Sequence, residues 1–322
     1  MSERRGQTIA HFGQDTFYLL SFYNDSMDIL THFLVGYDLS KALSPPLKYS
    51  NEALIIGAIL PDIDHIPIFI KKNQYFKYHR TLTHSLTMAP LLSIMFAFFI
   101  KYWDRDGSFW LYAALILIGI LSHIGLDIVV PYGIKLFYPL RKWYYRDWVC
   151  VIDGVILVLL LIPLLGQHLF RQYIFYLSLF LVICFILFRG YIHYRITDYL
   201  KKGYAGSSSL GVMPTPLNPF KWWVIIDRQS EYECFYFNFF NKRRVNVKYF
   251  PKNLDSPLIG LSSLAGYFLS WARFPSMQIV SQSDKRVAYL GDLRFYNPYH
   301  RTLTLCLLVD RYGKLEKEKI IL

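Results

Sequence analysis

The stretch ALIIGAILPDIDHIPIFI, Ala53–Ile70, would read as a membrane-spanning helix but for its middle. There Asp62, Asp64 and His65 interrupt a run of isoleucine, leucine and alanine. A charged side chain in hydrocarbon costs about 3 kcal/mol or more, so such residues mark a functional site by default. Pro61 is expected to mark the point where regular helix gives way to that site.

The surrounding chain has the same character. Apolar runs at Leu86–Ile100, Phe109–Leu126, Val151–Leu165 and Tyr173–Phe188 dominate the first 190 residues, and nothing comparable follows. Hydrophobic residues make up 54% and charged residues 18%, below the roughly 25% charge of soluble domains. VILVLLLIPLL and FYLSLFLVICFILF show no polar face, which argues against soluble core helices. MDILTHFLVGYDLSKAL repeats its apolar residues at near-helical spacing and predicts a further helix over Ile29–Leu43. The expected fold is a mainly α membrane domain of five to six helical segments, followed by a small β-rich (α+β) cytoplasmic domain. Its divisions are residues 27–200 (helical), 201–220 (linker) and 221–322 (β-rich). Residues 1–26 fall outside the pattern and are expected to be an extension, with Met27 a candidate start. Cys150, Cys184, Cys234 and Cys306 have no CxxC spacing and suggest neither disulfides nor a thiolate site.

Alternating spans bring the polar clusters together. LPDIDH closes one run, YHRTLTHS (Tyr78–Ser85) opens the next, SHIGLD (Ser122–Asp127) closes the third, and Asp153 opens the fourth. A helix beginning near Ile29 adds His32 to the same face. Basic residues are concentrated there: Arg4, Arg5, Lys71, Lys72, Lys77, Arg80, Lys135, Arg141, Lys142, Arg146, Arg189, Arg195, Lys201 and Lys202 stand against Lys41, Lys48, Lys101, Arg105 and Arg171 opposite. By the positive-inside rule the clustered face is cytoplasmic.

His123 and Asp127 are four apart and share a helix face, and Asp62 and His65, three apart, can do the same. With His32, His79 and His84 they form an imidazole–carboxylate set suited to Zn²⁺, or to Mn²⁺ or Fe²⁺. More than four candidate ligands implies two or more ions, or acids supporting the ligands. Arg80 could hold a phosphate. Each element has a plainer reading: HxxxD as a structural ion pair, PDID as a capped turn, Asp153 as a helix cap, His32 as a packed histidine. Their convergence on one face favours the joint site.

MDILTHFLVGYDL, LPDIDH, YHRTLTHSL and LSHIGLDIVVPYGIKLFYPL together resemble the successive signatures of the YdjM-like, LexA-regulated inner-membrane proteins, a membrane-bound metal-dependent hydrolase family. The resemblance runs from Met27 to about Asp153, and MPTPLNPFKWWVII is similar to the start of the C-terminal part of longer members. It implies a multi-pass prokaryotic inner-membrane protein, distantly akin to zinc-dependent phospholipase C. Its metal positions fall on His32, Asp62, His65, His79, His84, His123 and Asp127, with Asp64 and Asp153 beside them.

In the C-terminal part, KWWVIID, YECFYFNFF, RVNVKYF, RVAYLGDLRFY and TLTLCLLVD read as antiparallel strands, and SPLIGLSSLAGYFLSWARF as a helix among them. Trp222 and Trp223 are expected to rest on the membrane. Basic residues in NKRRVNVKYF fit lipid head groups better than nucleic acid.

The expected function is phosphoester hydrolysis of a lipid or lipid-linked substrate at the cytoplasmic membrane face, using Asp64, Arg80 and Asp153 beside the metal. The alternatives are a non-catalytic protein stabilised by metal, a metal or proton transporter, and a metal-free lipid phosphatase. The last lacks its usual KxxxxxxRP and PSGH motifs here.

Overall fold

A computed structural model describes residues 14–65, 78–170, 172–204, 206–282, 285–296 and 303–321. The Ile66–Ile70 end of the opening run, Lys71, Lys72, Lys77, Arg171 and residues 1–13 lie outside the described residues. Helices α1 (Gln14–Leu43), α2 (Ser50–Ile59), α3 (Ala89–Trp103), α4 (Phe109–Val129), α5 (Gly154–Phe170) and α6 (Tyr173–Gly203) form the first part. The helix expected over Ile29–Leu43 is thus the second half of a longer one. α4 and α6 are long and apolar enough to cross a membrane, while α3 and Gly154–Gly166 are apolar but shorter. Trp103 and Trp110, 74% and 72% exposed, flank the α3–α4 turn in the way aromatic residues line a bilayer interface.

The opening run is not one spanning helix. α2 is ten residues long and passes into a 3-10 turn over Leu60–His65. Pro61 has no N–H to continue the helical ladder, so the backbone tightens there. Small residues then let α2 approach its neighbours closely. A Cβ added to Gly57 would lie 2.2 Å from the Ile116 carbonyl oxygen of α4. One added to Gly119 would lie 2.5 Å from the Leu54 oxygen, and one on Gly36 of α1 would lie 2.6 Å from the Ala58 Cβ. α2 is therefore wedged backbone-first between α1 and α4, with Leu54, Ile116 and Ile120 buried around it.

The C-terminal part holds two four-stranded antiparallel meanders. β1 (Leu210–Pro214), β2 (Lys221–Asp227), β3 (Glu231–Asn238) and β4 (Arg244–Pro251) form the first. β5 (Pro275–Gln282), β6 (Lys285–Asp292), β7 (Thr304–Val309) and β8 (Leu315–Ile321) form the second, after helix α7 (Ser263–Trp271). The segment expected as a linker contains β1, which pairs with β2 from Leu210↔Ile226 to Pro214↔Trp222. The expected 256–274 helix is split at Ser262, whose Oγ accepts the Ala265 N–H and caps α7. Trp222 and Trp223 are buried, at 0% and 4% exposure, so neither rests on a membrane. Trp222 packs with Ile192, Ile196 and Leu200 of α6, and Trp223 Nε1 donates to the Leu293 carbonyl.

Gly119→Val should force α2 off α4 and cost about 2 kcal/mol or more. Gly125→Ala, where an added Cβ meets nothing within 4 Å, should be neutral in the same helix. Thermal unfolding of the purified variants in detergent checks the pair, and equal melting temperatures would refute the wedge.

Candidate metal centre

Four elements converge. α1 brings Asp28 and His32, the 3-10 turn brings Asp62, Asp64 and His65, the 78–85 segment brings His79, Arg80, Thr83 and His84, and α4 brings His123 and Asp127 from its last two turns. Arg80 sits at φ +56°, a left-handed conformation uncommon outside glycine and met at functional sites. Its N–H donates to Asp64 Oδ2 (2.9 Å) and its carbonyl accepts the Lys135 N–H (3.1 Å).

At the centre stand His84 Nε2, His123 Nε2, Asp62 Oδ1 and Asp127 Oδ2. The two nitrogens are 3.2 Å apart. His84 Nε2 lies 3.5 Å from Asp62 and 3.2 Å from Asp127, and His123 Nε2 lies 3.6 Å and 3.4 Å from the same oxygens. Donors about 2.0–2.1 Å from a tetrahedral ion stand roughly 3.3–3.4 Å from one another, so these edges fit such an ion. The outer nitrogens are already engaged. His123 Nδ1 meets the Ala58 carbonyl at 2.6 Å, and His84 Nδ1 lies 3.2 Å from Asp64 Oδ2. With those protons outward, two imidazole lone pairs face each other beside two carboxylates. That arrangement repels itself unless a cation joins it. Among the described residues, neither Asp62 oxygen nor Asp127 Oδ2, all buried, has a hydrogen-bond partner. The set could hold a divalent ion.

Asp64 is not among these four donors. It supports them, accepting from Arg80 N–H and Thr83 Oγ1 (3.0 Å) and pairing with His79 Nδ1 (3.0 Å) and His84. Burial opposes its charge, yet His79 and His84 hold its carboxyl well below the usual carboxylate range. Burial lowers the His79 imidazole to about 4, even with Asp64 beside it. Asp64, His65 and His79 form a second group whose ligand atoms could hold an ion.

Two expected roles, those of Arg80 and Asp153, look different in the structure, whereas His32 keeps a place among the candidate ligands. His32 stacks on His123 with centroids 3.6 Å apart and planes 16° apart. With Asp62 and His123, and again with Asp28 and Asp127, His32 forms a group that could hold an ion. His32 stands beside the four central donors, 3.5 Å from Asp28 and from Asp127. Arg80, expected to hold a phosphate, is buried and turned inward. Its Nη2 lies 2.5 Å from Asp28 and 3.1 Å from Asp127, and the guanidinium sits 4.7 Å from the Tyr132 ring centre. Asp153 caps α5 by accepting the Val155 N–H (3.1 Å), and lines a small hollow with Asp28, His32 and Asp127. Asp28 is the site residue not anticipated, although its DxxxH spacing to His32 repeats the logic of HxxxD.

With these positions in view, the model of the YdjM inner membrane protein family matches residues 27–196. The chain belongs to the YdjM family. It is 34% identical over 104 residues to "Inner membrane protein YdjM" of Escherichia coli (strain K12), and equally to the protein of that name in Shigella flexneri. The alignment covers 29% of this chain and 50% of each relative, so the chain spans about half the length of the curated relatives it matches. No solved structure matches. Family membership and the apolar helices make this a membrane protein. Both β-sheets lie beyond the matched region.

Asp28→Ala removes one of two carboxylates from a buried guanidinium and should cost about 3 kcal/mol. Chemical unfolding in detergent reads this directly, and a loss below about 0.5 kcal/mol, the scale of an ordinary surface change, would show that Asp127 alone suffices for Arg80.

Proposed function

We propose that the chain is a multi-pass, membrane-bound, metal-dependent hydrolase that cleaves a phosphoester of a lipid or lipid-linked substrate at the cytoplasmic membrane face. His84, His123, Asp62 and Asp127 would hold the ion, with Zn²⁺ favoured by the mixed imidazole and carboxylate donors and Mn²⁺ or Fe²⁺ as alternatives. The observation that carries the reading is the set of donor separations, 3.2 to 3.6 Å. A bound divalent ion supplies Lewis-acid polarisation of a phosphoryl oxygen and neutralises developing charge. The protein's part is positioning. Ala58 O and Asp64 aim the two imidazoles, while Arg80 offsets the carboxylates of Asp28 and Asp127. The second group, Asp64, His65 and His79, provides for a further ion. Exposed apolar side chains on α3 and α6, such as Phe98, Phe99, Phe180 and Leu187, support a lipid-facing setting, and the basic excess on the centre's face supports its cytoplasmic orientation.

A second reading has its own support. Four protein donors around one ion is the closed arrangement of structural sites, whereas catalytic ions keep a position open. On that reading the metal fastens α4 to the 3-10 turn and the 78–85 segment.

Elemental analysis of the purified protein, paired with assays on p-nitrophenyl phosphate and phospholipid vesicles, separates the two. About one ion or more per chain is expected in the wild type and background levels in His123→Ala; Asp64→Asn should weaken metal affinity roughly 10- to 100-fold. Turnover that disappears in both Asp62→Asn and His123→Ala supports hydrolysis. Bound metal without turnover selects the structural reading, and absence of metal refutes both.

A further inference from the structure

Beside α7 lies an open cleft of about 680 Å³. One wall is the segment after α4, contributing Lys135, Arg141 and Trp143. The opposite wall is a helical stripe of α7, Ser263, Gly266, Tyr267 and Ser270, at spacings of three and four. Among the described residues no carboxylate lines the cleft. Among the described residues neither Lys135 nor Arg141 has an acidic partner within 4.0 Å. The two cations nonetheless feel each other. Burial, and then Arg141, lowers the Lys135 ammonium from its ordinary value. The Lys135 ammonium sits 5.1 Å from the Trp143 ring centre.

The cationic wall is held rigidly. Ile134 and Tyr144 exchange backbone hydrogen bonds of 3.0 and 2.8 Å, Leu86 N–H donates to Leu136 O, and Thr87 Oγ1 donates to Tyr138 O. The last two contacts tie the wall to the start of α3, one of the apolar helices. Between its two cations the segment exposes Phe137 and Leu140. The other wall leaves room for a guest, because a Cβ at Gly266 would meet nothing within 4 Å.

We propose that this cleft is an anion site taking a phosphate-bearing group, with the phosphate between Lys135 and Arg141 and the rest of the molecule against Trp143, Tyr267 and the serines of α7. Charge-assisted bonds to two cations with hydroxyl and aromatic neighbours are the chemistry of phosphate recognition. The phosphate belongs either to a lipid head group, as exposed Phe137 and Leu140 suggest, or to a soluble phosphate compound. The site stands apart from the metal reading and does not depend on it. It adjoins the centre through the Lys135 N–H bond to the Arg80 carbonyl and through Trp271 of α7, which packs on Tyr132 beside Arg80.

The test uses the full chain in detergent, stripped with chelator, and titrates it calorimetrically with inorganic phosphate in one arm and short-chain dihexanoyl phosphatidylglycerol in the other. Saturable binding in at least one arm is expected, and the arm that binds identifies the source. Lys135→Gln/Arg141→Gln should weaken it at least about ten-fold. Gly266→Leu should do the same by filling the cleft, without lowering the melting temperature, since leucine is the better helix former. His123→Ala should leave binding unchanged, which separates this site from the metal centre. Binding by neither probe, or binding that survives both the charge variant and Gly266→Leu, overturns the assignment.

Discussion

Gly57 and Gly119 allow the backbones of α2 and α4 to touch, and the centre depends on that contact. Only at this distance can the Ala58 carbonyl reach His123 Nδ1 at 2.6 Å. A carbonyl near the end of a helix has lost its usual acceptor role once Pro61 follows. The residue that stops α2 thus also leaves its last carbonyls available to aim an imidazole. The same stop puts Asp62 directly opposite His123. Helix termination, small-residue packing and ligand orientation here share one cause.

Electrostatics then decides what the converged groups require. Asp28, Asp62, Asp64 and Asp127 are all buried, within reach of one buried arginine and a group of histidines. Arg80 answers Asp28 and Asp127, and backbone and hydroxyl donors answer Asp64. Asp62 has no such donor. Burying an uncompensated carboxylate costs several kcal/mol, and a proton shared with a neighbouring imidazole or a metal ion could each offset the Asp62 charge.

Much of this was legible in the sequence because local geometry carried it. HxxxD on an apolar helix and a Pro-led acidic turn bring their side chains together whatever the rest of the chain does, which is why His123, Asp127 and Asp62 were found. The Asp28–Arg80 pair was not, since it joins residues 52 positions apart and depends on how α1 rotates against the 78–85 segment. The same rotation stacks His32 on His123, and no spacing rule encodes that stacking. In the C-terminal part, β2 was legible as an apolar run, but its placement was not. β1 and β3 flank it, and α6 covers a face that alternation alone would leave to solvent. That covering buries Trp222, while Trp223, on the opposite face of the strand, is buried against Phe250, Phe274 and Leu293. β8, LEKEKII, carries an edge strand's charge and so lacks a strand's composition.

The β-rich part is built into the centre's surroundings. Tyr132 lies between Arg80 and the Trp271–Phe295 stack, with centroids 4.8 and 5.7 Å away. Arg294 Nη1 donates to the Pro131 carbonyl at 2.8 Å while its guanidinium pairs with buried Asp292. Farther along, Arg273 grips Asp147 through both carboxylate oxygens and stacks on Tyr145 at 3.6 Å. The segment between α4 and α5 is therefore held on one side by the Lys135 N–H bond to Arg80 of the centre and on the other by two arginines of the β-rich part. Tyr132 thus joins Arg80, which pairs with Asp127, to the Trp271–Phe295 stack beside the second sheet, and close-packed rings of this kind transmit displacements between the parts they join.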